Sequence, residues 1–165
     1  MTLNTNHIVK TDNVYYRFWA DIKTLSPFAC PIRNSPHYQF AKTVLQKALF
    51  DNYSPLPEDS LYEAYCRWEA LCVGSTIGHS PKNYYKNIAL WTKQFDIQNN
   101  IPKLVRFDTD KYFIYDGLHR IAFMAACIDL GIMRDEILIN IITPRMQLPP
   151  IEGISYIEKH LEFLQ

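Results

Sequence analysis

With 165 residues, 48% of them hydrophobic, the chain suits one globular domain with a sizeable core. Lys+Arg and Asp+Glu both number 17, so the formal net charge is zero, which argues against the global basic footprint of a nucleic-acid or anionic-membrane binder. The start, Met1 to Asn6, is polar and no apolar run approaches the roughly 20 residues that span a bilayer, so the sequence reads as a soluble, cytoplasmic protein.

Up to about Arg33 the chain reads as extended pieces broken at Pro27 and Pro31. Ser35-Pro36 then opens a helix, with Ser as N-cap and Pro at the first helical position, and Tyr38, Ala41, Val44, Leu45, Ala48 and Leu49 recur at helical spacing as far as Phe50. Pro57-Glu58-Asp59 starts a second helix, with acidic residues where the dipole favours them. Gly74 to Gly78 breaks it, and Ser80-Pro81 repeats the capping signal for a third helix, from Pro81 to about Phe95. Lys103–Phe107 and Lys111–Tyr115 form an expected hairpin around Asp108-Thr109-Asp110. A helix from Leu118 to about Leu130 stops at Gly131, Ile137 to Ile142 is a last apolar strand, and Ile151 to Leu164 is a terminal helix after Pro149-Pro150. These elements predict one mixed α/β domain over residues 1–165: a helical part about 35–97, a strand-turn-strand-helix-strand unit about 101–142, and a small mixed sheet flanked by helices. Cys30, Cys66, Cys72 and Cys127 are widely spaced, form no C-x-x-C pair and read as buried reduced thiols.

The most informative stretch is Asp116-Gly117-Leu118-His119-Arg120, between Tyr112-Phe113-Ile114-Tyr115 and Ile121 to Ala126. A strand that stops at Asp-Gly and restarts as a helix gathers backbone N–H groups, a helix dipole and two side-chain donors at one point, which suits a phosphate. Gly tolerates the positive φ of such a turn, Arg offers a bidentate fork for phosphate oxygens, and His donates a proton or a hydrogen bond near neutral pH. Asp116 is equally readable as a turn cap and as a Mg²⁺ ligand.

At these residues the chain resembles the ParB/sulfiredoxin-like superfamily, in which a strand ends in a D-G-x-H-R, G-G-x-H-R or G-E-R-R type box that opens a helix and contacts nucleotide phosphates. The resemblance covers about Ile101 to Ile142; the first hundred residues match loosely. It implies nucleotide chemistry, with members that hydrolyse CTP in chromosome partition, use ATP to repair sulfinic acid, or phosphorylate free serine from ADP. Leu118 stands where sulfinic-acid repair needs a Cys, and about 45 residues after the box leave no room for the DNA-reading domain of the partition branch. The box is similar to that of the kinase-like branch and of small relatives.

The resemblance extends to Ser35-Pro36-His37-Tyr38, which is similar to a stretch in small relatives and would bring His37 towards the nucleotide or acceptor; without it, His37 is an exposed histidine in a capped first turn. Gly74-Ser75-Thr76-Ile77-Gly78-His79-Ser80 has the glycine and hydroxyl content of an anion-binding loop without the lysine of a P-loop, making Ser75, Thr76 and His79 phosphate-binding candidates against the alternative of a plain connector. Arg33 is a candidate ligand for an acceptor anion. Glu63 and Glu69 flank aromatic residues at a possible cleft wall, but helix carboxylates are mostly solvated and both read as surface groups. The expectation is a nucleotide-dependent phosphotransferase or hydrolase using ATP or another nucleotide with Mg²⁺ on a small hydroxylated metabolite. Asp116, His119 and His37 are its candidate catalytic groups, and Gly117, Leu118, His119 and Arg120 its phosphate ligands. The alternatives are a ParB-like nucleotide-dependent binding module and a DNA-associated partition or nuclease-like protein.

Overall fold

Local capping chemistry starts the helices. The Ser35 hydroxyl accepts from the Tyr38 amide at 3.0 Å, with Pro36 as the first residue of helix α1, Pro36–Phe50. Helix α2 spans Leu61–Val73, and Ser80 caps helix α3, Pro81–Lys93, by accepting from the Asn83 amide at 3.1 Å. Helix α4, Leu118–Asp129, begins at Gly117 and closes at Gly131. There the amide of Ile132 donates to Cys127 and that of Gly131 to Ile128, while Gly131 takes a φ of 76° that an L side chain resists. The computed structural model describes residues 5–19, 25–50, 61–73, 79–95, 101–145 and 147–155.

The strands are β1 Thr5–Val9, β2 Val14–Trp19, β3 Leu25–Pro31, β4 Lys103–Asp108, β5 Lys111–Asp116, β6 Ile137–Ile141 and β7 Gly153–Ile154. They form one mixed sheet in the order β1-β6-β4-β5-β2-β3-β7. The pairs β1–β6, β4–β5 and β2–β3 are antiparallel, and β6–β4, β5–β2 and β3–β7 are parallel. A single mixed α/β domain results, as the order of elements predicts.

One face of the sheet carries the core. Leu104, Ile137 and Ile139 are fully buried together with Ile121, Met124 and Ala125 of α4 and Leu45 and Phe40 of α1. Each such side chain contributes about 1.5–3 kcal/mol by leaving water. Because side chains alternate along a strand, Val14 and Tyr16 of β2 join that core while Tyr15 and Arg17 turn to the other face. Tyr15 meets Phe107 edge-on there at 5.5 Å, and the Arg17 guanidinium lies 5.2 Å over the Phe113 ring and donates to the Pro149 carbonyl at 2.9 Å. Cys30, Cys66 and Cys127 are buried free thiols, and burial pushes them up to about 12, 11 and 11. No described helix is long and apolar enough to cross a membrane.

Three expectations need correction. The chain is not broken at Pro27, because β3 runs through it, while the expected break at Pro31 coincides with the end of β3, where the turn Ile32–Asn34 follows; a proline removes one donor, and Pro27 still offers its carbonyl, which accepts from the Glu152 amide at 2.6 Å. The sheet is seven strands wide rather than small, since the extended amino-terminal pieces join it. No helix begins at Ile151: after Pro149-Pro150 the chain stays extended, and Gly153-Ile154 add to β3, with the Ser155 amide donating to Ala29 at 2.9 Å. The remainder of the expected terminal helix lies outside the described residues.

The two left-handed glycines differ in their surroundings. A Cβ on Gly117, φ 107°, would stand 2.9 Å from Pro102 Cβ and 3.2 Å from Pro102 Cα, whereas one on Gly131 would meet nothing within 4 Å. Gly131→Ala should therefore cost about 1–2 kcal/mol, the strain of a left-handed L residue alone, and Gly117→Ala clearly more. Urea denaturation of the two variants checks this; equal losses would contradict the close approach at Gly117.

Candidate functional site

Parallel pairing of β2 with β5 places Tyr15 beside Phe113, so the next residues of both strands, Tyr16, Arg17, Ile114 and Tyr115, arrive together at the start of α4. A cavity of about 380 Å³ opens there, beyond the carboxyl end of β5. In open mixed sheets this is where ligands gather. Its walls are completed by His37 of α1, Tyr62 and Tyr65 of α2, Asn83, Tyr84, Asn87 and Trp91 of α3, His79 just ahead of α3, and the Asp116–Arg120 turn.

The turn is built as its residue types require. Asp116 ends β5 exposed, Gly117 takes the left-handed conformation, and the first intrahelical bond runs from the Ile121 amide to the Gly117 carbonyl at 3.0 Å. Gly117 at the cap position brings no side chain to cap α4. The amides of Leu118, His119 and Arg120 precede the first intrahelical bond, the position from which helix N-termini hold anions. Leu118 packs against the core, and Arg120 Nη2 stands 3.6 Å from Asp116 Oδ2.

Three histidines form a row across the cavity. His37 and His119 meet edge-on with ring centroids 4.6 Å apart, and His79 lies 4.5 Å from His119 on the other side. His119 Nε2 is 2.8 Å from the Tyr62 hydroxyl, and its carbonyl accepts from the Tyr84 hydroxyl at 2.9 Å. Burial raises both phenols, so each keeps its proton. A protonated phenol can either donate to Nε2 or accept from it, so the contact holds the ring in place in either tautomer. Burial, helped by the nearby His79 and Arg120, holds His119 down to about 3. Its ring is therefore held neutral near neutral pH, where it offers a hydrogen bond rather than a proton.

His37 is wholly buried, with its ring packed edge-on against Tyr62 and Tyr65 at 5.1 and 4.5 Å. Neither of its ring nitrogens has a hydrogen-bond partner among the described residues. Burial first, then the neighbouring histidines, lower it well below the ordinary range. The reading of His37 as an exposed first-turn residue is wrong; the second reading, that it reaches the same site as the Asp-Gly turn, matches its position.

His79 also reaches the cavity, but its Nδ1 is engaged by Glu69 Oε1 at 2.7 Å. Glu69, only 13% exposed in its side chain, is thus no surface group, whereas Glu63 pairs with Arg67 one helical turn away at 3.7 Å. Ser75 and Thr76 lie outside the described residues. Arg33 does not line the cavity: it forks onto Asp129 at 2.9 and 3.2 Å and reaches Asp12 at 3.0 Å, while the Tyr38 hydroxyl donates to the same Asp129. It ties the turn before α1 to the end of α4, away from the cavity.

Arg17, Asn83, Asn87 and Tyr84 line the cavity without a motif to announce them. The i, i+4, i+8 spacing of Asn83, Asn87 and Trp91 was the available signal, since it puts two amides and an indole on one side of α3. Among the described residues no three His, Cys, Asp or Glu converge as a metal site. An ion such as Mg²⁺, which takes one or two carboxylates and completes its shell with water and substrate phosphates, fits Asp116 at the rim. Comparison with family models, curated proteins and solved structures finds no significant match for this chain.

The buried histidines make stability depend on acid. With folded-state values depressed below the unfolded 6.5, His37 and His119 contribute stability that is complete above about pH 6.5 and is lost as pH falls toward about 3 for His119. Between pH 7 and 5, urea denaturation should show a loss of about 1–2 kcal/mol for each. His37→Phe, which removes two unpartnered nitrogens without emptying the site, should remove about half of that loss; an unchanged difference would place His37 in water.

Proposed function

We propose that this chain is a nucleotide-dependent phosphotransferase whose donor phosphates sit on the Asp116–Arg120 turn and whose acceptor is a small hydroxylated molecule in the adjoining cavity. The observation that carries the reading is the amino-terminus of α4, with glycine at its cap position, bounded by Arg120 and opening onto a cavity that also holds His79 and His37. It agrees with the resemblance of the Asp-Gly-Leu-His-Arg box to the ParB/sulfiredoxin-like superfamily.

In this reading the amides of Leu118, His119 and Arg120 hold phosphate oxygens, and the Arg120 guanidinium supports charge that spreads over the transferred group. Mg²⁺, when bound with the nucleotide at Asp116, would neutralise phosphate charge. Gly117 lets the backbone approach without a Cβ in the way. The Asn83 and Asn87 amides and the Trp91 indole offer hydrogen bonds and a flat apolar face, which suits a hydroxylated acceptor.

A thermal-shift panel of ATP, ADP, CTP and GTP with Mg²⁺ tests the donor site. At about 100 times Kd the bound nucleotide should stabilise the fold by roughly 2.7 kcal/mol, a rise of about 5–10 °C in Tm. Arg120→Ala should abolish the rise, and Arg33→Ala should keep it while lowering the unliganded Tm. No shift with any nucleotide, or a shift that survives Arg120→Ala, refutes the site. Phosphorus NMR with hydroxy amino acids and hexoses as acceptors then follows the transfer: a new phosphoester supports the kinase-like reading, and donor consumption without one points to a hydrolysing switch.

A further inference from the structure

The phosphotransferase reading lacks a base for the acceptor hydroxyl, and the cavity contains three imidazoles to choose from. His119 and His37 are buried rings. The first has its Nε2 taken by the Tyr62 hydroxyl, and the second has no hydrogen-bond partner for either ring nitrogen among the described residues. His79 also lines the cavity but differs from both: its side chain is 39% exposed and its Nδ1 is held 2.7 Å from a carboxylate.

Resting on that reading of the site, we propose that His79 is the general base for the acceptor hydroxyl and that Glu69 is its positioning residue. The Glu69 carboxylate accepts the Nδ1 proton, which fixes the tautomer and leaves Nε2 as the lone pair available to a ligand in the cavity. The ring is braced between Glu69 of α2 and His119 of α4, so its orientation is set by two elements at once. In the transfer, the acceptor O–H proton passes to Nε2 as the acceptor oxygen bonds to phosphorus. The bond from phosphorus to the nucleotide oxygen breaks, and the nucleotide departs with that electron pair. The imidazolium, paired with Glu69, then releases its proton to water through its exposed side. Burial keeps His119, lowered to about 3, and His37 neutral throughout, so neither competes for the proton. The charged or titratable groups facing His79 are Glu69 from α2, His119 and Arg120 from α4, and His37 from α1. Glu69 is the anion among them.

The test uses the full chain, whichever of ATP, ADP, CTP or GTP with Mg²⁺ shifts its Tm, and a hexose or hydroxy amino acid as acceptor. His79→Ala should keep the nucleotide-induced shift and lose about 10²–10⁴-fold in phosphoester formation. Glu69→Gln should lose at least tenfold in kcat at an unchanged KM for nucleotide, whereas Glu69→Asp, which keeps a carboxylate, should restore most of that loss. Loosened packing would not be rescued by the shorter carboxylate, so this pair of variants decides the matter if His79→Ala does not fold. Separately from turnover, diethyl pyrocarbonate should acylate His79 well before His37 and His119, as read by mass spectrometry, and bound nucleotide and acceptor should protect it. If His79→Ala binds nucleotide and turns over within threefold of wild type, or Glu69→Gln keeps the wild-type kcat, the base is another group and the phosphotransferase reading stands. If wild type neither binds nor consumes nucleotide, both fall together.

Discussion

The close approach of Gly117 to Pro102 organises everything around the cavity. A Cβ at 117 would overlap the proline, so the backbone passes where only glycine fits. Pro102 in turn accepts from the Asn140 amide at 2.8 Å, which ties the entry to β4, the end of β5, the start of α4 and strand β6 to one point. The direction of α4 follows from that junction. So does the division of its first turn, with His119 turned back among the helices and Arg120 left at the rim beside Asp116.

A row of three imidazoles in one site does not make three equivalent groups. The protein differentiates them through solvation and partners: one ring with no hydrogen-bond partner among the described residues, one held by a phenol, one held by a carboxylate. Aromatic packing makes this separation steep, since Tyr62, Tyr65 and Tyr84 surround His37 and His119 and displace the water that would otherwise level their proton affinities. Placing an unpartnered ring in such a nest costs stability and is retained in a cavity wall, where a ligand can supply the missing partner.

What the amino-acid sequence made legible was whatever is decided within a few residues. Ser35-Pro36, Ser80-Pro81, Asp116-Gly117 and Gly131 each specify their own backbone, and the hairpin of β4 and β5 follows from local alternation. Long-range partnerships left no such mark. Extended character before Arg33 was visible, but membership in the sheet depends on β2 finding β5 across 98 residues and β3 finding β7 across 125. Arg33 looks like an anion ligand by type and is consumed by Asp129, 96 residues away. Glu69 looks like a solvated helix carboxylate and is drawn inward by His79. In each case an ordinary residue acquired its role from a partner that spacing alone does not reveal.

Both flanks of the sheet join opposite ends of the chain. Thr5–Val9 pairs with Ile137–Ile141, the Thr11 amide donates to Asp135, and Phe28-Ala29 is flanked by Gly153-Ile154. During synthesis β1 therefore emerges with no partner and the β2–β3 pair with its outer edge open, and both wait for β6 and β7 before the hydrogen bonds along the two flanks can form. Loop closures of this length make such sheets slow to assemble and leave strand edges open in the interval. The domain is thus one whose folding on the ribosome must finish late, with β1 and β3 the segments most in need of protection from other chains until the last strands arrive.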